Sequence, residues 1–145
     1  MAKITFNNAD VDFNLKGKRI LKSVLKKYIT ENDFELGNID YIFCSDSYLL
    51  DINKKYLNHD YFTDIISFQY DKEILTGEIF ISIDRVKENA SIFKKTFNDE
   101  LYRVISHGIL HFMGYKDKTV DEQKTMRSKE DELINSIYIE KKSNS

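Results

Sequence analysis

The residues with the most chemical promise form one short segment, His107-Gly108-Ile109-Leu110-His111-Phe112-Met113-Gly114-Tyr115-Lys116-Asp117. Four residues make about one helical turn, so His107 and His111 project from the same helix face, one above the other. Two imidazoles at this spacing can hold one metal ion without distorting the backbone. Gly114 follows three positions later, a residue type that tolerates the left-handed conformation that ends helices. A chain turning back there brings Asp117 towards the same ion. Three protein ligands then leave a fourth position for water, the arrangement of a catalytic zinc site rather than a closed structural one. An isolated His-x-x-x-His is a weak signal; the glycine and the oxygen ligand at fixed offsets sharpen it. The spacing predicts one Zn2+ ion held by His107, His111 and Asp117.

The same segment says which chemistry is missing. A zinc peptidase of this spacing places a glutamate directly after the first histidine as general base. Here that position is Gly108, which cannot move a proton. Metal-assisted hydrolysis of another bond is the reading that remains. Gly108 also costs a helix interior roughly 1 kcal/mol relative to alanine, so something must approach that backbone closely. The other histidine, His59 in Leu57-Asn58-His59-Asp60-Tyr61, reads as a solvated loop residue, with a spare ligand or RNA contact as the alternative.

These residues need elements to position them. Lys3 to Phe6 reads as a short strand, and Ile20, Val24, Leu25 and Tyr28 mark a helix after Gly17. Its other face carries Lys16, Lys18, Arg19, Lys22, Lys26 and Lys27, a solvated face or a phosphate-binding stripe. Ile39 to Cys44 is β-branched and aromatic, hence a second strand. Ser45 or Asp46 can cap a helix to about Tyr56, with Leu49 and Ile52 on one face. Asp64 to Tyr70 and Glu78 to Ile83 read as two more strands, with a turn around Thr76-Gly77. Val86, Ala90 and Phe93 mark one helix; Leu101, Val104, Ile105, Gly108 and Phe112 mark the next. Thr119 with Glu122 is a capping-box signature opening a last helix with Met126, Leu133, Ile134 and Ile137. The expected fold is therefore α+β: a small four-stranded sheet packed with about five helices, the metal site lying on a helix that ends in a glycine turn. Residues 1–140 are expected to form a single domain, with a frayed tail over 141–145.

Composition narrows the function classes. The 145 residues suffice for one domain with its own core. A formal net charge of −2 carries no electrostatic footprint of a general nucleic-acid binder, so any RNA contact must use a local patch. Cys44 is the sole cysteine, which excludes an intrachain disulfide partner and suits a reducing compartment. Its apolar flanks suggest an inert core thiol. The N-terminal residues lack the apolar run of a signal peptide, and no stretch approaches transmembrane length. A soluble, cytoplasmic protein with no membrane partner is expected.

The segment from His107 to Asp117 resembles the metal motif of the YbeY endoribonuclease family, bacterial ribosomal-RNA maturation factors, which reads His-Gly-x-Leu-His-Leu-x-Gly-Tyr-Asp-His. Upstream, Thr63-Asp64-Ile65-Ile66-Ser67-Phe68 is similar to that family's Thr-Asp-Val-Leu-Ser-Phe, and Gly77-Glu78-Ile79 to its Gly-Asp-Ile. Ile52-Asn53-Lys54-Lys55-Tyr56 looks like its Leu-Asn-x-x-Tyr/Phe. Met126 and Glu130 fall where the family has a Met and a Glu in its last helix, so the likeness spans roughly residues 40 to 135. The resemblance implies a single-strand-specific, metal-dependent endoribonuclease. It further implies single-stranded RNA, ribosomal RNA and the small ribosomal subunit as partners, with a role in maturing the 3′ end of small-subunit RNA and in ribosome quality control.

Two departures bear on mechanism. Where the family has its third histidine ligand, this chain has Asp117, and the neighbouring Asp becomes Lys116. Two neutral imidazoles and one carboxylate leave a site charge of about +1, against about +2 with three imidazoles, hence a less Lewis-acidic ion. A one-residue gap would instead align the family's His with Lys118, whose protonated amine cannot bind zinc. Second, Leu57 stands where the family has an arginine. Leucine cannot clamp a phosphate. Lys116, Lys118 and Arg103 are the candidate cations for that role, and Asp64 and Glu78 are candidate bases or partners to the histidines. The competing reading is a non-catalytic ribosome-assembly factor whose zinc is structural or vestigial.

Overall fold

The computed structural model describes residues 2–143. In chain order the elements are β1 (Lys3–Asn8), α1 (Lys18–Glu31), β2 (Glu35–Cys44), α2 (Asp46–Leu57), β3 (Ile65–Asp71), β4 (Ile74–Ser82), α3 (Ile83–Ile92), α4 (Phe97–Phe112) and α5 (Val120–Ser143). The four strands form one sheet in the order β1-β2-β4-β3. β1 and β4 flank β2 in parallel, and β3 closes the far edge antiparallel to β4. This is the expected α+β architecture.

Strand side chains alternate between faces, so the sheet sorts its apolar residues into two clusters. Ile39, Tyr41 and Phe43 of β2 join Ile79 and Ile81 of β4 in the larger core. Against them pack Leu21, Leu25 and Ile29 of α1, Leu101, Ile105 and Ile109 of α4, and Leu133 and Ile137 of α5. Each of these aliphatic side chains is worth roughly 1.5–3 kcal/mol when fully buried. The smaller cluster joins Cys44 and Ile66 to Leu49 of α2, with Phe68 and Phe80 alongside. Burial, and then the carboxylates of Asp10, Asp46 and Asp84, push the Cys44 thiol up to about 12, so it is an unreactive core group. The lysine face of α1 is solvent-exposed throughout.

The structure moves one turn and one strand end. The chain reverses at Lys72-Glu73, where the Asp71 carboxylate accepts from the backbone N–H groups of Glu73 at 2.9 Å and Ile74 at 3.1 Å. Thr76-Gly77, read as the turn, lies inside β4, with Gly77 opposite Gln69. The glycine serves close approach instead: a Cβ there would stand 2.2 Å from the Phe68 carbonyl oxygen and 2.7 Å from the Phe112 ring. Ile83 opens α3 rather than ending β4, because the Ser82 hydroxyl caps the helix by accepting from the Arg85 N–H at 3.1 Å. Helix α5 continues through Lys141 to Ser143, and positions 144–145 of the expected tail lie outside the described residues.

Candidate metal centre

Helix α4 is the platform. The Thr96 hydroxyl caps it by accepting from the Asp99 N–H at 3.1 Å, and Asp99 and Glu100 lie in its first turn, where carboxylates favour the helix dipole. One face of the helix buries Leu101, Ile105, Ile109 and Phe112. Gly108 lets that face come close to the sheet. A Cβ at Gly108 would lie 2.9 and 3.0 Å from the Ile79 side chain and 3.2 Å from Ile65, so β3 and β4 are the close neighbours its presence implied. The adjoining face carries Glu100, Arg103, Val104, His107 and His111 along the wall of one cavity.

The helix then ends as a glycine turn should. The Tyr115 N–H bonds back to the Leu110 carbonyl at 3.1 Å, the Gly114 N–H to the His111 carbonyl at 3.0 Å, and Gly114 takes φ +100°. Helix α5 fixes the other end of the turn. The Glu122 carboxylate accepts from the N–H groups of Thr119 at 2.9 Å and Lys118 at 3.1 Å, while the Thr119 hydroxyl accepts from the Glu122 N–H at 3.1 Å. The Gln123 amide donates to the Asp117 carbonyl at 3.2 Å.

Between these two clamps Asp117 points inward. Its Oδ2 lies 3.2 Å from His107 Nε2 and 3.4 Å from His111 Nε2, and the two rings meet edge to face at 4.5 Å. One donor atom from each residue falls within 4.8 Å of the others, so the group could hold a metal ion. Bonds of about 2.0–2.1 Å in a tetrahedron separate donors by roughly 3.3 Å, so the imidazole–carboxylate spacings suit zinc. Lys118 stays exposed, and its backbone N–H donates to Glu122.

Behind the pair stands Glu130 of α5, whose role the sequence did not reveal. Its Oε2 accepts from His107 Nδ1 at 2.7 Å, which leaves Nε2 as the nitrogen facing Asp117. Its Oε1 accepts from Arg103 Nη1 at 2.8 Å, and Arg103 Nη2 donates to Asp131 at 2.9 Å. Burial opposes a charge on His107, but Glu130, Asp117 and Asp64 outweigh it and raise the imidazole pKa. In sequence Glu130 was visible as a carboxylate on the apolar stripe of Met126, Leu133 and Ile137, all buried in the structure. A buried acid on such a stripe needs a partner.

The cavity encloses about 670 Å³. Asp64 lines it near the start of β3; burial raises its carboxyl pKa, and the charge of His107 offsets part of the rise. Glu100 also lines it, 4% exposed, with Oε1 buried and without a hydrogen-bond partner among the described residues. Of the three candidate cations only Arg103 reaches this wall, and it is committed to Glu130 and Asp131. Lys116 and Lys118 are exposed and lie off the lining. The other cations that line it, Lys95 and Arg127, have no signal in the sequence. Glu78 lies elsewhere, accepting from the Tyr70 hydroxyl at 2.6 Å, and His59 stacks on Tyr61 at 5.1 Å. Leu57 ends α2, exposed and off the cavity lining.

Fold and site together define a mixed α+β protein with a candidate metal-dependent hydrolase centre. A profile of the family described as Endoribonuclease YbeY matches residues 3–138. The chain is 45% identical over 133 residues to the Endoribonuclease YbeY of Flavobacterium psychrophilum, covering 91% of this chain and 95% of the relative. It is 47% identical over 130 residues to that of Christiangramia forsetii, covering 89% and 91%. A Thermotoga maritima protein solved in solution shares the fold with a TM-score of 0.68 at 27% identity, over 97% of this chain and 93% of that one. The protein belongs to the YbeY endoribonuclease family.

Proposed function

We propose that this protein is a zinc-dependent endoribonuclease that cuts single-stranded RNA, with the 3′ end of small-subunit ribosomal RNA as its substrate and the cytoplasm as its place of work. The convergence of His107, His111 and Asp117 on the wall of a large cavity carries this reading. His107, His111 and Asp117 would hold the ion, and zinc there would supply Lewis acidity and make water easier to deprotonate. His107 would bind through Nε2, because Glu130 holds its Nδ1 proton. Lys95 and Arg127 line the same cavity and would attract the phosphate backbone, a cationic part that the leucine at position 57 cannot play. Asp64 stands on the same wall, a partly buried carboxyl able to take up or return a proton. No helix among the described residues is long and apolar enough to cross a membrane.

The test is His111→Ala, assayed for zinc content and for cleavage of an unstructured RNA. Loss of both is expected. Product ends report the nucleophile: a 5′-phosphate follows attack by water, whereas a cyclic phosphate means attack by the ribose 2′-oxygen.

Leu57 in place of the family arginine supports a second reading, a ribosome-assembly factor without catalysis. Zinc-loaded protein that binds small subunits tightly yet cleaves no RNA decides for it.

A further inference from the structure

The chain between α3 and α4 is a built turn rather than a loose connection. The Phe93 N–H bonds to the Asn89 carbonyl at 2.9 Å, the Lys94 N–H to the Ser91 carbonyl at 3.2 Å, and the Lys95 N–H to the Ala90 carbonyl at 2.9 Å. Lys94 takes φ +54°, a left-handed conformation that residues with a Cβ rarely adopt. The reversal puts Phe93 and Lys95 on the lining of the cavity that holds His107, His111 and Asp117.

Neither side chain has an evident structural duty. Phe93 is 57% exposed and stacks on no other ring among the described residues. Lys95 makes no salt bridge among them, although its charge acts on the Glu100 carboxyl across the same wall. Both stand against a wall whose other cations include Arg127. An aromatic face beside an ammonium group held in no salt bridge among the described residues matches one nucleotide, a planar base next to an anionic phosphate.

We infer that Phe93 and Lys95 form a nucleotide subsite, in which an unpaired base stacks on the Phe93 ring and an adjoining phosphate pairs with Lys95. The inference rests on the endoribonuclease reading and adds to it the residues that select the strand. A base inside a duplex has both faces covered by its neighbours, so it cannot use this ring. A single strand can. The subsite therefore works on binding, ahead of any step at the histidines.

The full chain, zinc-loaded, is compared with Phe93→Ala, Phe93→Trp and Lys95→Ala on an unstructured RNA of about ten nucleotides. A matched series of RNAs carries one abasic nucleotide at successive positions. Phe93→Ala is expected to raise KM about 5- to 100-fold, with kcat, zinc content and Tm unchanged, and Phe93→Trp to keep the original KM. The abasic RNA that binds wild type worst should bind Phe93→Ala no worse than the intact strand. Lys95→Ala should flatten the dependence of log KM on log salt by about 0.7. Wild-type KM in Phe93→Ala, or equal losses with intact and abasic RNA, overturns the subsite and leaves the nuclease reading standing. A wild-type protein that neither binds nor cuts any single strand overturns both.

Discussion

Glu130 accepts the Nδ1 proton of His107 at 2.7 Å while Arg103 holds its other oxygen at 2.8 Å. The carboxylate is thus fixed from two sides and fixes the ring in turn. Glu130→Gln keeps the shape but weakens the hold on the tautomer, so zinc affinity should fall about 10- to 100-fold. Competition against a chelator of known affinity measures this; unchanged affinity would reduce Glu130 to packing.

Metal removal should alter the pH dependence of stability. In the metal-free protein the His107 pKa is raised above 6.5, because Glu130, Asp117 and Asp64 outweigh the effect of burial. The stabilisation this gives is fully present below 6.5 and is lost as pH rises through the raised value. Chelator-treated protein should therefore melt lower on the alkaline side of that titration than at pH below 6.5. Added zinc needs the unprotonated ring, so it should restore more stability at the alkaline end. Thermal melts with and without chelator give both slopes.

Asp117→His removes one negative charge from the donor set. The activity profile should then move to lower pH. A profile that stays in place argues that Asp117 lies outside the set that holds the ion.

Glu100 is buried on the cavity wall without a partner for Oε1. Burial, and then the charge of Asp64, raise its carboxyl pKa against the opposing pull of Arg103. A raised carboxyl favours the fold below 4.5 and loses that contribution as pH climbs through the shifted value. Glu100→Gln carries no such charge, so its Tm should exceed that of wild type at neutral pH, and the gain should vanish below pH 4.5. Melting curves across that range check the crossover.

Gly77→Ala should destabilise the protein by about 1–3 kcal/mol. The added methyl meets the backbone carbonyl of Phe68 at 2.2 Å, which cannot swing aside as a side-chain tip can. Urea denaturation gives the difference directly.

What was legible in the sequence was local. The His107/His111 spacing, the Gly114 turn and the Thr119/Glu122 box each depend on residues three or four apart, and each is realised in the structure. The hidden parts depend on tertiary approach. Glu130 is 23 positions from His107, and only the docking of α5 on α4 brings them together. Lys116 and Lys118 look close to the site because they flank Asp117, yet alternation along the segment turns them outward as Asp117 turns in. Gly77 was misread because a glycine that makes room for a carbonyl and a ring looks the same in sequence as one that turns the chain.

The inward-facing groups of the centre come from the C-terminal half of α4, the reversal after it and the middle of α5. A nascent chain still lacking its last helix has the two imidazoles but neither the clamp on Asp117 nor the acid behind His107. Such a fragment offers the centre only half its scaffolding, so its grip on an ion depends on α5 having docked against α4.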